Sequence, residues 1–365
     1  MVRECKKCIL DQTVAELQLT KGVCNYCLEH ESLIQNYTFS EEESERNLKK
    51  MFLDIKKDSK DSKYDCILGM SGGVDSSYVA HIAGELGLKV LVVHVDNSWN
   101  TETSVKNIKN IVSTLDFDLY TQVLNWEEFK DLQRSFFYAS VLDIEVAADN
   151  AINAILWNQV KKNKIKHVLS GGNFRTEHGL PRSWRWDKID KRNLKDIHKK
   201  FGTKKITSYP IMGNLELVLK FRFLKKIKQH LPLNKVNFKR KDAVSLLSEK
   251  YGWQDYGGKH FESLFTKFYQ AYVLPEKFGI DKRKAHLSSL IRNNEMTRDQ
   301  AKEIIKKPIY TESELRMDKS YVLKKLGFSE DEFKFIMSSK PVSHSFYKNE
   351  SKIKELINTS KKYLS

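Results

Sequence analysis

Several features are rare or missing in this chain of 365 residues, and each absence narrows the class of protein. There is no run of about 18 apolar residues, which a membrane-spanning helix needs, and the N-terminus lacks the apolar region of a signal peptide. Internal repeats and low-complexity tracts are also missing. We therefore expect a cytoplasmic, globular protein that is long enough for more than one domain.

Cysteine is scarce, with five residues in all. Four of them form two Cys-x-x-Cys pairs, Cys5 with Cys8 and Cys24 with Cys27, with fifteen residues between the pairs. Four thiolates at this spacing suit a closed tetrahedral shell around Zn²⁺, so we expect a structural zinc site in a reducing compartment. Free or disulfide-linked thiols are the alternative. The fifth cysteine, Cys66, lies in an apolar stretch, which favours a buried and unreactive thiol.

Acidic residues are outnumbered by basic ones, with Lys+Arg 63 against Asp+Glu 47 and a net charge of +16. Such a balance favours polyanionic partners, including RNA, nucleotides or an anionic membrane surface. The lysines are scattered, however, with local concentrations at 225–228 and 239–241. A solvated lysine-rich surface explains the excess better, and the charge alone does not identify a substrate.

A short apolar strand from residue 64 leads into a turn of small residues and then a helix. The turn contains Ser71, Gly72, Gly73, Val74, Asp75, Ser76 and Ser77. Glycines let backbone N–H groups approach a ligand, and the serine hydroxyls and the open helix N-terminus add donors, so the turn suits a pyrophosphate. Asp75 would offer a carboxylate to a nucleotide-bound Mg²⁺. An ordinary strand–turn–helix connection is the alternative, and no Gly-Lys-Ser/Thr ending marks a Walker loop.

Apolar strands alternate with helical patterns from Tyr64 to about Ile211, which indicates an α/β fold with a parallel sheet. Further strands are predicted at 89–96, 118–124 and 165–170. The second strand ends at Val95 and Asp96, and the fourth is followed by Gly171, Gly172 and Asn173. Because ligands bind at the carboxyl ends of parallel strands, we expect both tips to face the ligand. An ordinary turn is the alternative for the second glycine pair.

We expect four parts in the chain: a cysteine module at 1–35, a helix and linker at 36–63, the α/β domain at 64–212 and a mainly helical region at 213–365. Capping residues predict helix starts at Ser40, Thr297 and Ser329. In the helical region the aromatic residues Phe261, Phe265, Phe268 and Tyr272 keep helical spacing, which favours core packing over base stacking.

The string Ser-Gly-Gly-Val-Asp-Ser-Ser resembles the pyrophosphate loop of the N-type ATP pyrophosphatases. Three further features accompany it: the four-cysteine N-terminus, Gly171-Gly172-Asn173 and residues 277–288. Together they make the chain similar to the N-acetyl sugar amidotransferases, which act in surface-polysaccharide, O-antigen and nonulosonic-acid biosynthesis. The similarity extends from about Cys5 to Ala301. The resemblance implies an adenine nucleotide alpha hydrolase-like fold, a twisted parallel sheet with helices on both faces. It also implies ATP and Mg²⁺, and conversion of an acetamido group on a nucleotide-linked sugar to acetamidino. Ammonia would come from a partner glutaminase, and AMP and pyrophosphate would be released.

The same resemblance suggests roles for individual residues. The turn residues Ser71, Gly72, Gly73, Val74, Ser76 and Ser77 would hold the phosphates of ATP, and Asp75 would bind Mg²⁺ in a catalytic role. Val95, Asp96, Gly171, Gly172 and Asn173 would border the adenosine. Lys259, His260, Lys282 and Arg283 would contact phosphates or the anionic sugar nucleotide, with Lys282 and Arg283 also proposed as catalytic; surface or structural roles are the alternative. Asp149 and Glu177 lie in family-like stretches without an assigned role.

Two other functions compete with this interpretation. A tRNA-thiolating pyrophosphate-loop enzyme would suit the basic charge and the zinc module, but it needs reactive cysteines near the ATP site, where only Cys66 remains. A non-catalytic RNA-binding or scaffold protein would suit the zinc knuckle but not an intact phosphate loop. We therefore expect no nucleic-acid partner, and we expect ammonia from another protein because no cysteine has the context of a glutaminase nucleophile.

Overall fold

The computed structural model of the chain describes residues 4–223, 225–258 and 261–364, with the backbone alone at 222, 223, 358 and 360–364. Lys259 and His260 lie outside the described residues. None of the helices in the described ranges combines the length and the apolarity needed to cross a membrane.

A five-stranded parallel sheet forms the centre of the α/β part. The strands of the chain are β1 Leu19–Thr20, β2 Val23–Cys24, β3 Cys66–Gly69, β4 Val90–Asp96, β5 Asp118–Val123, β6 His167–Leu169 and β7 Lys228–His230. The sheet order is β5-β4-β3-β6-β7, while β1 and β2 form a separate antiparallel pair in the cysteine module. The order reverses between β3 and β6, so the carboxyl ends of these two strands flank a crevice.

Helices surround the sheet and make up most of the rest. They are α1 Asn25–Leu33, α2 Glu41–Asp58, α3 Val74–Glu85, α4 Glu102–Thr114, α5 Trp126–Tyr138, α6 Val146–Lys162, α7 Phe174–Glu177, α8 Lys191–Phe201, α9 Arg240–Tyr251, α10 Leu264–Phe268, α11 Leu274–Phe278, α12 Arg283–Arg292, α13 Arg298–Lys306, α14 Glu312–Leu326, α15 Glu330–Ser338 and α16 Ser351–Leu364. Short 3₁₀ helices span Ile34–Tyr37, Arg182–Trp184, Pro232–Lys235 and His344–Phe346, and π-helical turns span Glu216–Phe223 and Tyr269–Val273.

Side chains that alternate along the strands build two hydrophobic cores, one on each face of the sheet. Ile67 of β3 faces a core shared with α5, α6 and the C-terminal helices. Its neighbours Cys66 and Leu68 face the opposite core, which α2, α3, α4 and α9 complete. The predicted fold class, a parallel sheet with helices on both faces, is confirmed.

The local signals for helix starts are also confirmed. Ser40, Thr297 and Ser329 each cap a helix with a reciprocal capping box, which satisfies two otherwise unpaired backbone N–H groups. Phe265 and Phe268 are buried in the core, so the aromatic stripe packs the interior as expected.

The strand β7 departs from the prediction, because the sequence after Pro210 was expected to be helical. Its three residues pair with β6 and extend the sheet by one strand. Two of these residues are exposed, so the segment lacks the apolar pattern of a buried strand. The division of the chain into four parts stays a prediction, and the sheet takes one strand from the last of them.

Candidate active site

Two glycine-containing turns meet in the crevice between β3 and β6. One is the loop of residues 71–77 after β3, and the other is the turn at Gly171 and Gly172 after β6. A Cβ atom at Gly171 would lie 3.0 Å from the backbone nitrogen of Ser76. The two turns thus approach so closely that a side chain there would disturb the phosphate loop.

Gly72 is fixed in the loop by its backbone and by its surroundings. Its φ of +83° lies in the left-handed region that favours glycine. A Cβ atom there would be in hard contact with the carbonyl oxygen of Ser104 on α4. The Gly72 carbonyl also accepts a hydrogen bond from the indole of Trp253 at 3.0 Å. The loop is therefore held from both sides in a conformation that glycine allows.

The loop opens into a cavity of about 240 Å³ at the N-terminus of α3. Ser71, Gly73, Val74, Asp75 and Ser76 line its floor. The first turn of α3 offers backbone N–H groups without helical partners and the positive end of the helix dipole. This cavity suits a chain of phosphates with a metal ion, since Asp75 and Glu177 both place carboxylates on its wall.

Three residues that the sequence did not identify close the same cavity. Arg240, Tyr256 and Glu262 line it opposite the loop. Burial raises the pKa of the Tyr256 hydroxyl, which therefore stays a hydrogen-bond donor. A Cβ atom on Gly73 would lie 3.2 Å from that hydroxyl. A cluster of Lys239, Arg240 and Lys241 was visible in the sequence, but only folding brings Arg240 to the phosphate loop.

A second cavity of about 450 Å³ lies beside the loop, at the carboxyl ends of β3, β4 and β6. Val95 and Gly171, two of the residues predicted to border adenosine, line it together with Ser71. Gly172, which was predicted with them, lines the phosphate cavity instead. Asp96 does not line this second cavity either, because its carboxylate accepts a hydrogen bond from the Ser98 backbone at 2.8 Å. Asn97 and Asn100 take that place on the cavity wall.

A third cavity of about 930 Å³ extends from Ser71 toward the C-terminal region. Lys282 lies in it, with its ammonium 4.0 Å from the Glu145 carboxylate. Asp149 and Glu177, which had no assigned role, also line this cavity. Lys188 binds both Asp143 at 2.7 Å and Asp149 at 2.8 Å.

The charges in this third cavity are coupled. Burial raises the pKa of Glu145, although the positive charges of Lys282 and Lys188 act to lower it. Burial also acts to raise the pKa of Asp143, but Lys188 and Lys282 hold it below its usual value. The pKa of Lys188 is raised, because its acidic neighbours outweigh its burial. Asp143 is therefore ionised within a fixed network, while Glu145 holds a proton more readily.

Two residues that were predicted to bind the nucleotide belong to the surrounding helices and line none of the three cavities. Asn173 caps α7 by accepting a hydrogen bond from the Thr176 backbone at 2.8 Å. Ser77 is fully buried inside α3 and does not line the phosphate cavity. Both residues shape the loops without facing the proposed ligand.

Arg283 is not brought to any of the three cavities, although we expected it to bind substrate or act in catalysis. Its guanidinium pairs with Asp281 at 2.7 Å and donates to the Lys307 carbonyl, also at 2.7 Å. Further bonds reach carbonyl groups at the end of α13. Its donors are used to join α12 to α13.

The four N-terminal cysteines come together as expected and are all buried. Their sulfur atoms all lie within 4.8 Å of one another, with 3.9 Å between Cys5 and Cys27 and 3.7 Å between Cys8 and Cys24. These separations are too long for disulfides and fit a single tetrahedral ion bound at about 2.3 Å per sulfur. Backbone N–H groups of Lys7, Cys8 and Cys24 point at the Cys5 sulfur.

The remaining cysteine lies apart from this cluster. Cys66 is fully buried in β3. Burial raises the pKa of its thiol, which makes it a poor nucleophile. The predicted inert thiol agrees with this placement.

Comparison with family models gives two matches on separate parts of the chain. Residues 47–171 match the model described as NAD synthase. Residues 262–361 match the model described as LPS biosynthesis protein WbpG-like, C-terminal domain. The first segment contains the phosphate loop, and the second begins at Glu262. No curated protein matches the sequence significantly.

Solved structures give weaker likenesses. NMN synthetase from Francisella tularensis is 15% identical, over 61% of this chain and 74% of that one, with a TM-score of 0.34. NH3-dependent NAD synthetase from Campylobacter jejuni is 13% identical, over 82% and 98%, with a TM-score of 0.34. U34-tRNA thiolase NcsA from Methanococcus maripaludis is 13% identical, over 84% and 89%, with a TM-score of 0.32. At such scores these likenesses carry no argument about this chain.

The two model matches fit the two halves of the site. The NAD synthase match covers the turn that floors the phosphate cavity, and the WbpG-like match covers Lys282 on the wall of the large cavity. Together the two matches support an ATP-using pyrophosphate-loop enzyme of amidotransferase type, similar to the N-acetyl sugar amidotransferases.

Proposed function

We propose that this enzyme converts the acetamido group of a nucleotide-linked sugar to an acetamidino group, using ATP and ammonia. The observation that carries the proposal is the meeting of three cavities at one residue, Ser71. A nucleotide in the second cavity with its phosphates in the first would present its α-phosphate beside the third. The third cavity is the largest and the most polar, as a sugar substrate requires.

The chemistry needs ATP because an amide carbon is a poor electrophile and its oxygen a poor leaving group. The amide oxygen attacks the α-phosphorus, a new P–O bond forms, and pyrophosphate leaves. Ammonia then adds to the carbon of the resulting imidate, and AMP departs with the former amide oxygen. No protein nucleophile is required, so the residues act by positioning and by stabilising charge.

Asp75 and Glu177 are the residues that would hold Mg²⁺ in the phosphate cavity. The ion would neutralise negative charge on the departing pyrophosphate. The backbone of the loop, the N-terminus of α3 and Arg240 supply the other positive groups at this cavity. Glu177 thereby gains a role that the sequence left open.

The third cavity also suits an anionic sugar nucleotide at its mouth. Arg182, Arg185 and Lys354 line it there, while Lys282 and Lys188 lie among the acidic groups inside. We assign the outer cations to the phosphates of the substrate. We assign the inner network to the hydroxyl and amide groups of the sugar.

Ammonia must come from outside the chain in this proposal. Five cysteines are present, four in the metal cluster and Cys66 buried in a strand, so a glutaminase thiol is not available at the cavities. A separate glutaminase is the partner we propose. For the cysteine cluster we propose a structural Zn²⁺, since four sulfurs leave no position open for a reactant.

The test uses the full-length protein, ATP, Mg²⁺, ammonium and a panel of nucleotide-linked diacetamido sugars. We expect one sugar to change by exchange of its amide oxygen for an NH group, read by mass spectrometry, and α-labelled ATP to yield AMP. Asp75→Asn should lose both signals. Asp61→Asn, an exposed carboxylate before β3, is the matched control and should keep them.

Two results would contradict the proposal. One is formation of ADP in place of AMP, since that product requires a different bond to break. The other is an unchanged sugar panel together with sulfur transfer to tRNA from a sulfide source, which would favour the thiolation alternative.

A further inference from the structure

Glu262 lies where the phosphate cavity and the large cavity join. It lines both cavities, and its carboxylate accepts a hydrogen bond from the Ser71 hydroxyl. A Cβ atom on Gly73 would lie 3.6 Å from one of its oxygens. The carboxylate thus faces the point at which the α-phosphate and the sugar amide would meet.

The backbone around Glu262 is held firmly. Its carbonyl accepts hydrogen bonds from the Thr101 backbone at 2.9 Å and from the Ser104 hydroxyl at 3.2 Å. The next residue, Ser263, forms a bridge with Asn100 and caps α10. These contacts tie the acid to α4, which also supports the phosphate loop at Gly72. A side chain presented in this way is positioned relative to the loop itself.

We propose that Glu262 is the general base that takes a proton from ammonia as its nitrogen adds to the activated carbon. This assignment rests on the proposed function and adds a catalytic residue to it. Two neighbouring carboxylates have other partners: Asp143 is paired with Lys188, and Glu145 accepts a hydrogen bond from Thr266 at 2.6 Å.

The imidate keeps the hydrogen of the amide nitrogen and is therefore cationic. The ammonia lone pair forms a bond to its carbon, and the C=N pair moves onto the sugar nitrogen and neutralises it. One proton passes from the new ammonium group to the Glu262 carboxylate. The C–O bond then breaks, AMP leaves with the bonding pair, and an amidinium cation remains. The proton on Glu262 returns to solvent after AMP release.

The electrostatic surroundings suit this role. Burial raises the pKa of Glu262 to about 7, and the charges of Glu145 and Asp75 act in the same direction, while the Ser71 hydrogen bond opposes them. Tyr256 and Arg240 are the other titratable or charged groups that close this side of the cavity. A base with a pKa near the working pH is efficient at both accepting and releasing a proton.

The experiment separates the two half-reactions in the full-length enzyme. Exchange of labelled pyrophosphate into ATP, measured with sugar and without ammonia, reports adenylylation alone. Amidine formation with ammonium reports both steps. For Glu262→Gln we expect exchange to stay within a few-fold of the wild type and amidine formation to fall by about 10²–10⁴-fold, the usual contribution of a general base.

A change of nucleophile adds a second readout. Hydroxylamine is unprotonated at neutral pH, and its adduct loses a proton more easily than the ammonia adduct. Glu262→Gln should therefore impair the hydroxylamine reaction much less than the ammonium reaction. At a fixed concentration of free NH3, the amidination rate of the wild type should rise with pH through about 7, and the variant should lack this limb.

Glu295→Gln is the matched control, because burial also raises the pKa of Glu295 but this residue lines none of the three cavities. It should leave both half-reactions unchanged. Equal losses of exchange and amidination in Glu262→Gln would overturn the assignment in favour of a phosphate-positioning role. So would an equal loss with both nucleophiles and an unchanged pH profile. A wild type without exchange on any sugar would refute the proposed function itself, and the assignment with it.

Discussion

Gly72 shows how strongly a single backbone position constrains this site. Its positive φ and the nearby Ser104 carbonyl together exclude a side chain, so the loop keeps its shape only with glycine. Gly87 offers a comparison, since its φ of +65° is also in the left-handed region but a Cβ atom there would meet nothing within 4 Å. Substitution of each glycine in turn therefore distinguishes the effect of backbone strain, present at both positions, from the effect of a steric clash, present at Gly72 alone.

We predict that Gly72→Ala destabilises the fold by about 1–3 kcal/mol and abolishes pyrophosphate exchange, because the loop must move away from Ser104. Gly87→Ala should cost about 1 kcal/mol through backbone strain alone and leave exchange intact. Denaturant unfolding and the exchange assay measure the two effects. Normal exchange in Gly72→Ala would contradict the loop assignment.

Glu262 links the site to the pH dependence of stability. Burial raises its pKa to about 7 in the folded chain, from the ordinary value of 4.5 that applies when the chain is unfolded, so the folded state binds the proton more tightly. Stability should therefore fall as the pH rises from about 5 to 7. We predict that Glu262→Gln matches the wild type at pH 5 and is more stable at pH 8, by at most about 3 kcal/mol. Urea unfolding at the two pH values tests this, and equal differences at both would contradict it.

At the scale of elements, sequence patterns predicted what local physics decides. The buried strands β3 and β4 have mainly apolar sequences, and helix starts such as Ser40 and Thr297 have their caps encoded within four residues. The strand β7 could not be predicted in this way, because it is short, polar and defined by its neighbour β6. Tertiary pairing, absent from a local pattern, creates it.

The residues of the site also fall into those that local sequence identifies and those that only folding brings together. The phosphate loop is contiguous in sequence, so its residues were identified directly, whereas Arg240, Tyr256 and Glu262 reach it from distant segments. Arg283 was predicted to bind substrate because an arginine beside Lys282 indicates anion binding. In the structure its guanidinium is already paired with Asp281, two residues earlier. A charged residue with a local partner is often structural, and that partner was visible in the sequence.

We predict that Arg283→Gln lowers stability by about 1–3 kcal/mol, because it removes bonds that join α12 to the end of α13, and that pyrophosphate exchange is unaffected. Lys306→Gln, an exposed cation paired with Glu303 on α13, should change stability by less than about 1 kcal/mol. Thermal unfolding and exchange measured on both variants give the answer. A selective loss of exchange in Arg283→Gln would restore its catalytic assignment.

At the scale of the whole molecule, the cysteine module supports the substrate wall. Its core includes Trp184, Ile280 and Ala285 from the rest of the chain. The backbone N–H of Ile9 donates a hydrogen bond to the Ser288 hydroxyl of α12, at 3.3 Å. The helix α12 also presents Ala285 and Ser289 to the large cavity. The cysteine module thus lies behind one wall of the proposed sugar site.

We therefore predict that removing the metal, by chelation or by Cys24→Ser, raises the KM for the sugar more than the KM for ATP and lowers the melting temperature. The cause is loss of support for α12, since a small metal module depends on its ion for folding. Cys66→Ala is the control, because that cysteine belongs to the sheet and not to the cluster. Equal changes in both KM values would contradict the prediction.

The contacts of Arg298 have a consequence for how the protein is made. Its guanidinium donates to the carbonyls of Cys5 and Cys8, which lie 293 and 290 positions earlier. During translation the two cysteines must wait for Arg298 to be synthesised before their carbonyls gain these hydrogen bonds. Glu262 likewise follows the phosphate loop of residues 71–77 after a long stretch of sequence. A chain truncated between the loop and Glu262 would carry the nucleotide cradle without the acid beside it, so in our proposal it could not carry out amidination.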